Sequence, residues 1–299
     1  MNKGTWLAVG AYSIWGFLPV YWKLLKHVPA LQLLGHRIGW SFILLFLFLL
    51  VSQRWDSFRK AINSPRVLRT YLVAAILIGI NWLTYVWAVN AGYIVETSLG
   101  YFINPLVSVL MGVIILKETI RTWQWVAIAI AAIGVLYLTV SYGTIPWIAL
   151  TLAFSFGFYG LMKKTAPLNS INGITLETGI LFLPSLGWLI FADLSGDGAF
   201  LNTGWVSDIL MVAAGLVTTV PLLMFASAAK LIPLSMVGIL QYIAPTIQFL
   251  IGVLLYHEPF TSYRVVGFTI VWFALIIFGV EGQLVQRSNR RLAKGAPIP

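Results

Sequence analysis

The sequence predicts an all-α membrane protein of ten transmembrane helices, arranged as two inverted five-helix repeats. Three observations predict it. Of the 299 residues, 60 % are hydrophobic and 9 % charged, and the mean hydropathy is +0.90. That is more apolar surface than a soluble domain of this length can hide. Ten apolar stretches long enough to cross a hydrocarbon core, which takes about 20 residues each, are separated by short polar breaks. Finally, YFINPLVSVLMGVIILKE (101–118) returns as QYIAPTIQFLIGVLLYHE (241–258), with Ile103, Pro105, Leu110, Gly112, Val113 and Glu118 kept as Ile243, Pro245, Leu250, Gly252, Val253 and Glu258.

The first stretch, 5–22, follows Lys3 as a signal peptide would. No small-residue cleavage site precedes Trp15, Pro19 and Trp22, so it reads as the first span. Spans follow at 31–52, 70–90, 96–116 and 123–141. After the turn SYGT (141–144), Pro146 suits the first turn of the next helix, and spans run over 145–162, 174–192, 206–229, 235–256 and 263–281. The expected units are an N-terminal half (1–143), a C-terminal half (144–282) and a basic cytoplasmic tail (283–299). Trp123, Trp125 and Trp205 stand at span ends, where indoles anchor at the membrane interface.

Loop cations set membrane orientation. Ten spans place 15 of the 19 Lys and Arg on the side of the N-terminus, leaving only Lys23, Lys26, Arg37 and Arg264 opposite. Both termini are therefore expected in the cytoplasm of a cell bounded by an inner (plasma) membrane. The net charge of +10 points to anionic lipid headgroups on the cytoplasmic side rather than to nucleic acid, because the cations flank apolar spans. With no cysteine and three histidines, no metal site or cofactor is expected. DLSGDG (193–198) lacks the closing glutamate of a calcium loop, and no nucleotide-binding glycine motif or serine elbow is present.

The matched segments fall in spans four and nine, so the repeating unit has five spans and its second copy enters the membrane upside down. Glu118 is then expected at the cytoplasmic face and Glu258 at the external face, each near the N-terminus of a following helix. Ala88 with Ala228 and Val126 with Val266 repeat at the same offset, and AYS (11–13) resembles AFS (153–155). Inverted repeats build secondary carriers, whose substrate site lies between the halves near the midplane.

Polar side chains mark that site. Thr97, Tyr101, Asn104 and Ser108 share one helix face, and Gln241, Ala244 and Gln248, beside Tyr242, repeat the stripe. They line a cavity or bond neighbouring helices. Asn81 and Tyr85 lie one turn apart in span three, with Asn90 at its external end. In LLGHRIGWS (33–41), Arg37 either binds an anionic group or is a neutralised scaffold ion, paired most plausibly by depth with Glu96. His36 is a proton relay or an interface histidine, Trp40 joins the candidate binding residues, and GHRIG (35–39) has the spacing of a tight helix crossing. Glu96 and Glu177 are candidates to carry a coupling proton. Pro105 and Pro245 free backbone carbonyls and are candidate hinges.

HRIGWSF (36–42), NWLTYVWAVN (81–90), ETSLGYFINPL (96–106), AFSFGFYGL (153–161), GLVTTVPLL (215–223) and QYIAPT (241–246) resemble, in order and over nearly the whole chain, the RarD-type branch of the EamA transporters, in the drug/metabolite transporter superfamily. The resemblance implies a ten-helix inner-membrane carrier for small organic solutes such as amino acids, metabolites or drugs. A proton-coupled exporter or a facilitator working by alternating access is the expected function. A channel and a membrane-embedded lipid-modifying enzyme are the alternatives; the two-half symmetry disfavours the first and the scattered carboxylates the second. The oligomeric state is not legible.

Overall fold

A computed structural model describes residues 2–53, 55–143, 145–257 and 262–295. Arg54, Glu258 and the side chains of Arg264, Arg287, Arg290, Arg291 and Lys294 lie outside the described residues. The long helices are α1 (Lys3–Leu24), α2 (Ala30–Val51), α4 (Pro65–Asn90), α5 (Ile94–Leu110), α6 (Thr122–Tyr142), α7 (Trp147–Thr165), α8 (Ser170–Leu194), α9 (Trp205–Leu231) and α12 (Ser262–Gly295), with a short α3 (Trp55–Ile62) and a split α10 (Leu234–Leu240) and α11 (Ile243–Leu250).

Local chemistry sets the ends. Asn2 Oδ1 accepts from the Thr5 N–H at 2.9 Å and Asn169 Oδ1 from the Asn172 N–H at 2.9 Å, satisfying amides that open α1 and α8. Pro65 begins α4, where its missing N–H costs nothing. Gly143, at φ +84°, closes α6 in the left-handed conformation. The helix α3 was not expected. It is amphipathic, seating Phe58 and Trp55 against Leu49 and Tyr71 and carrying Arg59 and Lys60 in its last turn.

The sequence repeat reappears as conformation. Both α5 and α11 end in a five-residue π-helical segment, Met111–Ile115 and Ile251–Leu255, and each is followed by a residue at positive φ, Lys117 (54°) and His257 (51°). The prolines behave differently. Pro245 offers no N–H to the Gln241 carbonyl, which takes the Ala244 N–H at 3.1 Å instead, and the helix breaks there into α10 and α11. Pro105 stays inside a continuous α5. Only one expected hinge is thus a visible break.

Eight segments among the described residues are long and apolar enough to cross a membrane. The segments of α1 and α7 fall outside that set: α1 is diluted by tryptophan, tyrosine and terminal lysines, α7 by Lys163 and Lys164 in its last turn. Contacts sort the helix ends into two groups. Gly4 meets Leu231 and Ile232, Glu118 meets Leu234 and Ser235, and Tyr71 meets Leu168 and Gly173. At the other end Tyr21 bonds the Leu210 carbonyl, Glu96 meets Ile148, and Trp87 meets Trp147 at a tilted angle.

Packing partners are α6 with α12, α2 with α8, α5 with α10, α5 with α7, α1 with α11, α1 with α9, α4 with α7, α2 with α9 and α4 with α8. With α3 left aside and α10 and α11 taken as one span, exchanging the helices of 3–142 in order with those of 147–295 maps these most extensive packings onto themselves, while α7 with α9 has no counterpart of similar extent. Two crossings between the halves tolerate only glycine: a Cβ on Gly215 would stand 2.5 Å from Trp40 Cβ, and one on Gly238 2.8 Å from the Pro105 carbonyl oxygen. The GHRIG glycines face Leu189 and Phe182 of α8. Ala88 and Ala228, matched by the repeat, are both fully buried, while Trp123, Trp125 and Trp205 are exposed as anchors should be.

Candidate functional site

A cavity with a free volume of about 1060 Å³, its mouth included, lies between the two sets of helices. Tyr12, Trp15 and Trp22 of α1 and Asn81, Trp82 and Tyr85 of α4 form one wall; Thr97, Tyr101 and Asn104 of α5 form the next. The second set contributes Phe156 of α7, Thr218 and Leu222 of α9, and Gln241, Ala244, Pro245 and Gln248. Arg37 of α2 projects into it. Both predicted stripes therefore meet in one chamber, except for Ser108, which is buried and accepts from Gln241 Nε2 at 3.1 Å.

Arg37 is held without a carboxylate. Its Nε–H donates to Thr218 Oγ1 at 3.0 Å, and the guanidinium lies 4.8 and 5.2 Å from the ring centres of Trp22 and Trp82, within cation–π range. Tyr85 and Tyr101, their rings 6.0 Å apart, stand close enough to feel its charge. The expected pairing with Glu96 is not the arrangement found. Glu96 is buried and accepts from the Ile148 N–H at 2.7 Å, at the start of α7, where a helix N-terminus favours a carboxylate.

The amide donors are largely spent on scaffolding. Asn81 Nδ2 donates to the Leu152 carbonyl at 2.9 Å and to Ser155 Oγ at 3.0 Å, and Gln248 Nε2 donates to the Trp15 carbonyl at 3.2 Å. Asn104 Oδ1 is a buried acceptor with no protein donor, while the Gln241 amide lies beside the Tyr12 hydroxyl. The chamber thus presents a cation near one end, acceptors elsewhere and aromatic walls between, a pattern of ligand sites.

A second cavity, about 1270 Å³ with the open space at its mouth included, shares Trp22, Arg37 and Tyr85 with the first and adds Lys26, His27, Gln32 and Asn90. It opens beside the α1–α2 turn. Arg37 stands at the neck between the two.

Several expected residues lie elsewhere. His36 and Trp40 pack against Phe200, ring centres 5.0 and 6.1 Å away, because α2 turns that face to the 195–204 loop. Tyr242 is fully buried and donates its hydroxyl to the Phe102 carbonyl at 3.2 Å, bridging two positions matched by the repeat. Asn90 lines the second cavity only. Glu177 lies outside both cavities, bound to Lys163 Nζ at 2.6 Å and to the Tyr159 hydroxyl at 2.9 Å. Among the described residues no group of three or more metal-ligating side chains gathers. Missed by sequence reasoning were Tyr12, Trp15 and Thr218. Tyr12 lies within the AYS repeat and Thr218 within the TTVP turn of α9, but neither had a charge to mark it.

Comparison with known proteins gives the arrangement a family. The EamA-like transporter family matches twice, over residues 2–140 and 144–280. "Protein RarD" of Streptomyces exfoliatus is 43 % identical over 99 % of this chain and 94 % of its own length, and "Protein RarD" of Escherichia coli (strain K12) is 41 % identical over 97 % and 98 %. The "Uncharacterized transporter YojE" of Bacillus subtilis (strain 168) is 47 % identical over 93 % of each chain. A crystal structure of a protein 17 % identical, covering 92 % of this chain and 97 % of that one, superposes with a TM-score of 0.66 and shares the fold. The chain is a multi-pass membrane transporter and belongs to the EamA-like transporter family, in its RarD-type branch.

Proposed function

We propose that the protein is a secondary carrier that exports small organic solutes across the bacterial inner membrane by alternating access, through ten spans made of two inverted halves, 1–143 and 144–282. The observation that carries this reading is the chamber walled by both sets of helices and joined through Trp22, Arg37 and Tyr85 to a second cavity beside the α1–α2 turn. The exchange of packing partners between the halves and the two groups of helix ends support the inversion. The cation asymmetry assigns the open vestibule to the outside and both termini, with the helical extension into 283–299, to the cytoplasm. Arg59 and Lys60 on α3 then face anionic headgroups.

One latch ties the halves at the cytoplasmic end, and two further sets of contacts there fasten α7, α8 and α9 within the second half. Glu118 at the end of α5 accepts from the Leu234 and Ser235 N–H groups at 2.6 and 2.8 Å, tying the halves together. Lys163 binds Glu177, and Lys164 and Lys230 cap free carbonyls at Ile232 and Leu168. The apolar cluster of Ala8, Tyr159, Phe225 and Leu234 fills the space between. Rocking one half against the other would break this end and close the vestibule. Glu96 and Glu177 line neither cavity, so a coupling proton on either travels apart from the solute; loss of the pH dependence of flux in Glu96→Gln or Glu177→Gln would identify the carrier of that proton.

Purified protein in a thermal-shift screen against amino acids, nucleosides and antibiotics names a working solute. In liposomes that solute should show saturable flux accelerated by the same solute on the far side. Ohmic single-channel currents in place of saturable exchange would refute the carrier.

A further inference from the structure

Arg37 carries a charge that the protein does not balance. Among the described residues the ion pairs are Lys163 with Glu177 and Arg121 with Glu281, and neither Asp nor Glu lines the chamber or the vestibule. A cation inside the hydrocarbon is costly, on the order of 3 kcal/mol at the centre even on lenient insertion scales and less toward either surface. One hydroxyl and two indole faces offset part of that, and Arg37 is the one charged side chain that lines both described cavities. We propose that this site selects solutes bearing a single carboxylate, which supplies the missing counterion at Arg37. The inference rests on the carrier reading above and names its substrate class.

Geometry favours a carboxylate. With Nε spent on Thr218 and the indoles of Trp22 and Trp82 close by, the donors left to Arg37 are its Nη groups, which match a planar two-oxygen acceptor. Charge balance favours one negative charge: a dianionic phosphate ester would leave an excess charge in an apolar chamber that holds no second cation. The route in agrees. Lys26 and His27 line the vestibule ahead of Arg37 with no acid among them, a field that concentrates anions at the mouth. Beyond the neck, Trp15, Phe156 and Leu222 take an apolar body, and the unpartnered oxygen of Asn104 accepts an N–H or O–H group. The ligand is therefore a monoanion with an apolar body and at least one donor.

The test uses matched pairs on the purified full-length protein: indole-3-acetate and N-acetylphenylalanine beside their carboxamides, with phenyl phosphate as the dianion, read by thermal shift and by inhibition of exchange in liposomes. The carboxylates should bind at least about 10-fold more tightly than the amides and than phenyl phosphate. Arg37→Gln should level each pair, and Arg37→Lys, which keeps the charge and loses the fork, should retain a smaller preference. Amides binding as well as carboxylates, no binding by any carboxylate, or a preference that survives Arg37→Gln would overturn the proposal. Saturable exchange of an amide without its carboxylate removes the anion assignment and leaves the carrier standing. Carboxylate binding without exchange of any solute upholds the anion site and removes the carrier.

Discussion

Lys163 and Arg37 are both cations drawn out of water, and the protein treats them in opposite ways. Lys163 and its partner Glu177 are 3 % and 2 % exposed, bonded at 2.6 Å, with the Tyr159 hydroxyl on the second carboxylate oxygen and the rings of Tyr71 and Tyr159 within 6 Å of the ammonium. Every charge there is answered, so nothing remains to recruit a ligand. Arg37 has one hydroxyl, two indole faces and an open chamber. Burial of a charge therefore does not separate scaffold from site in this molecule; the presence of a counterion does.

The largest effect that can break this contrast is at the closed pair. Glu177→Gln strands a buried ammonium and should cost about 3–5 kcal/mol, seen as a large drop in the thermal midpoint in detergent. The double substitution Lys163→Met with Glu177→Met should recover most of it, since an ion pair replaced by apolar groups is often neutral. A Glu177→Gln protein as stable as the parent would show that the pair holds nothing. At the interhelical latch, Glu118→Gln removes a carboxylate from the α10 N-terminus and should cost about 1 kcal/mol, with that end opening more often and a cysteine placed at the buried Ala8 becoming more reactive to a water-soluble maleimide. Unchanged reactivity there would separate Glu118 from gating.

How much of this the sequence carried depends on which physical signal each residue writes. Apolar length marked the long helices to within a few residues except at the end of α12, which runs on through polar residues to Gly295, and the offset of 140 foretold a conformational repeat down to Lys117 and His257. Helical periodicity alone put Thr97, Tyr101, Asn104, Gln241 and Gln248 on the chamber wall, because a polar stripe on an apolar helix has few other places to face. Partner choice was not legible. Arg37 and Glu96 were matched by depth, but depth says nothing of azimuth, and α2 turns Arg37 toward Thr218 while α5 turns Glu96 toward α7. Glu177 met Lys163 across the α7–α8 turn, a contact set by the crossing of two helices rather than by spacing. The break at Gln241 rather than at Tyr101 was equally hidden, since both segments carry the same proline. Tyr12 and Trp15 were lost among other aromatics that serve as anchors.

The central claim is that two halves of opposite sense enclose the chamber, and the absence of native cysteine makes one measurement direct. Single cysteines at Lys117 and His257, both exposed and related by the repeat, would be treated with a membrane-impermeant maleimide in intact cells and in inverted vesicles. The account predicts that position 257 reacts from outside and position 117 from the cytoplasmic side. Reaction of both from the same side would contradict it.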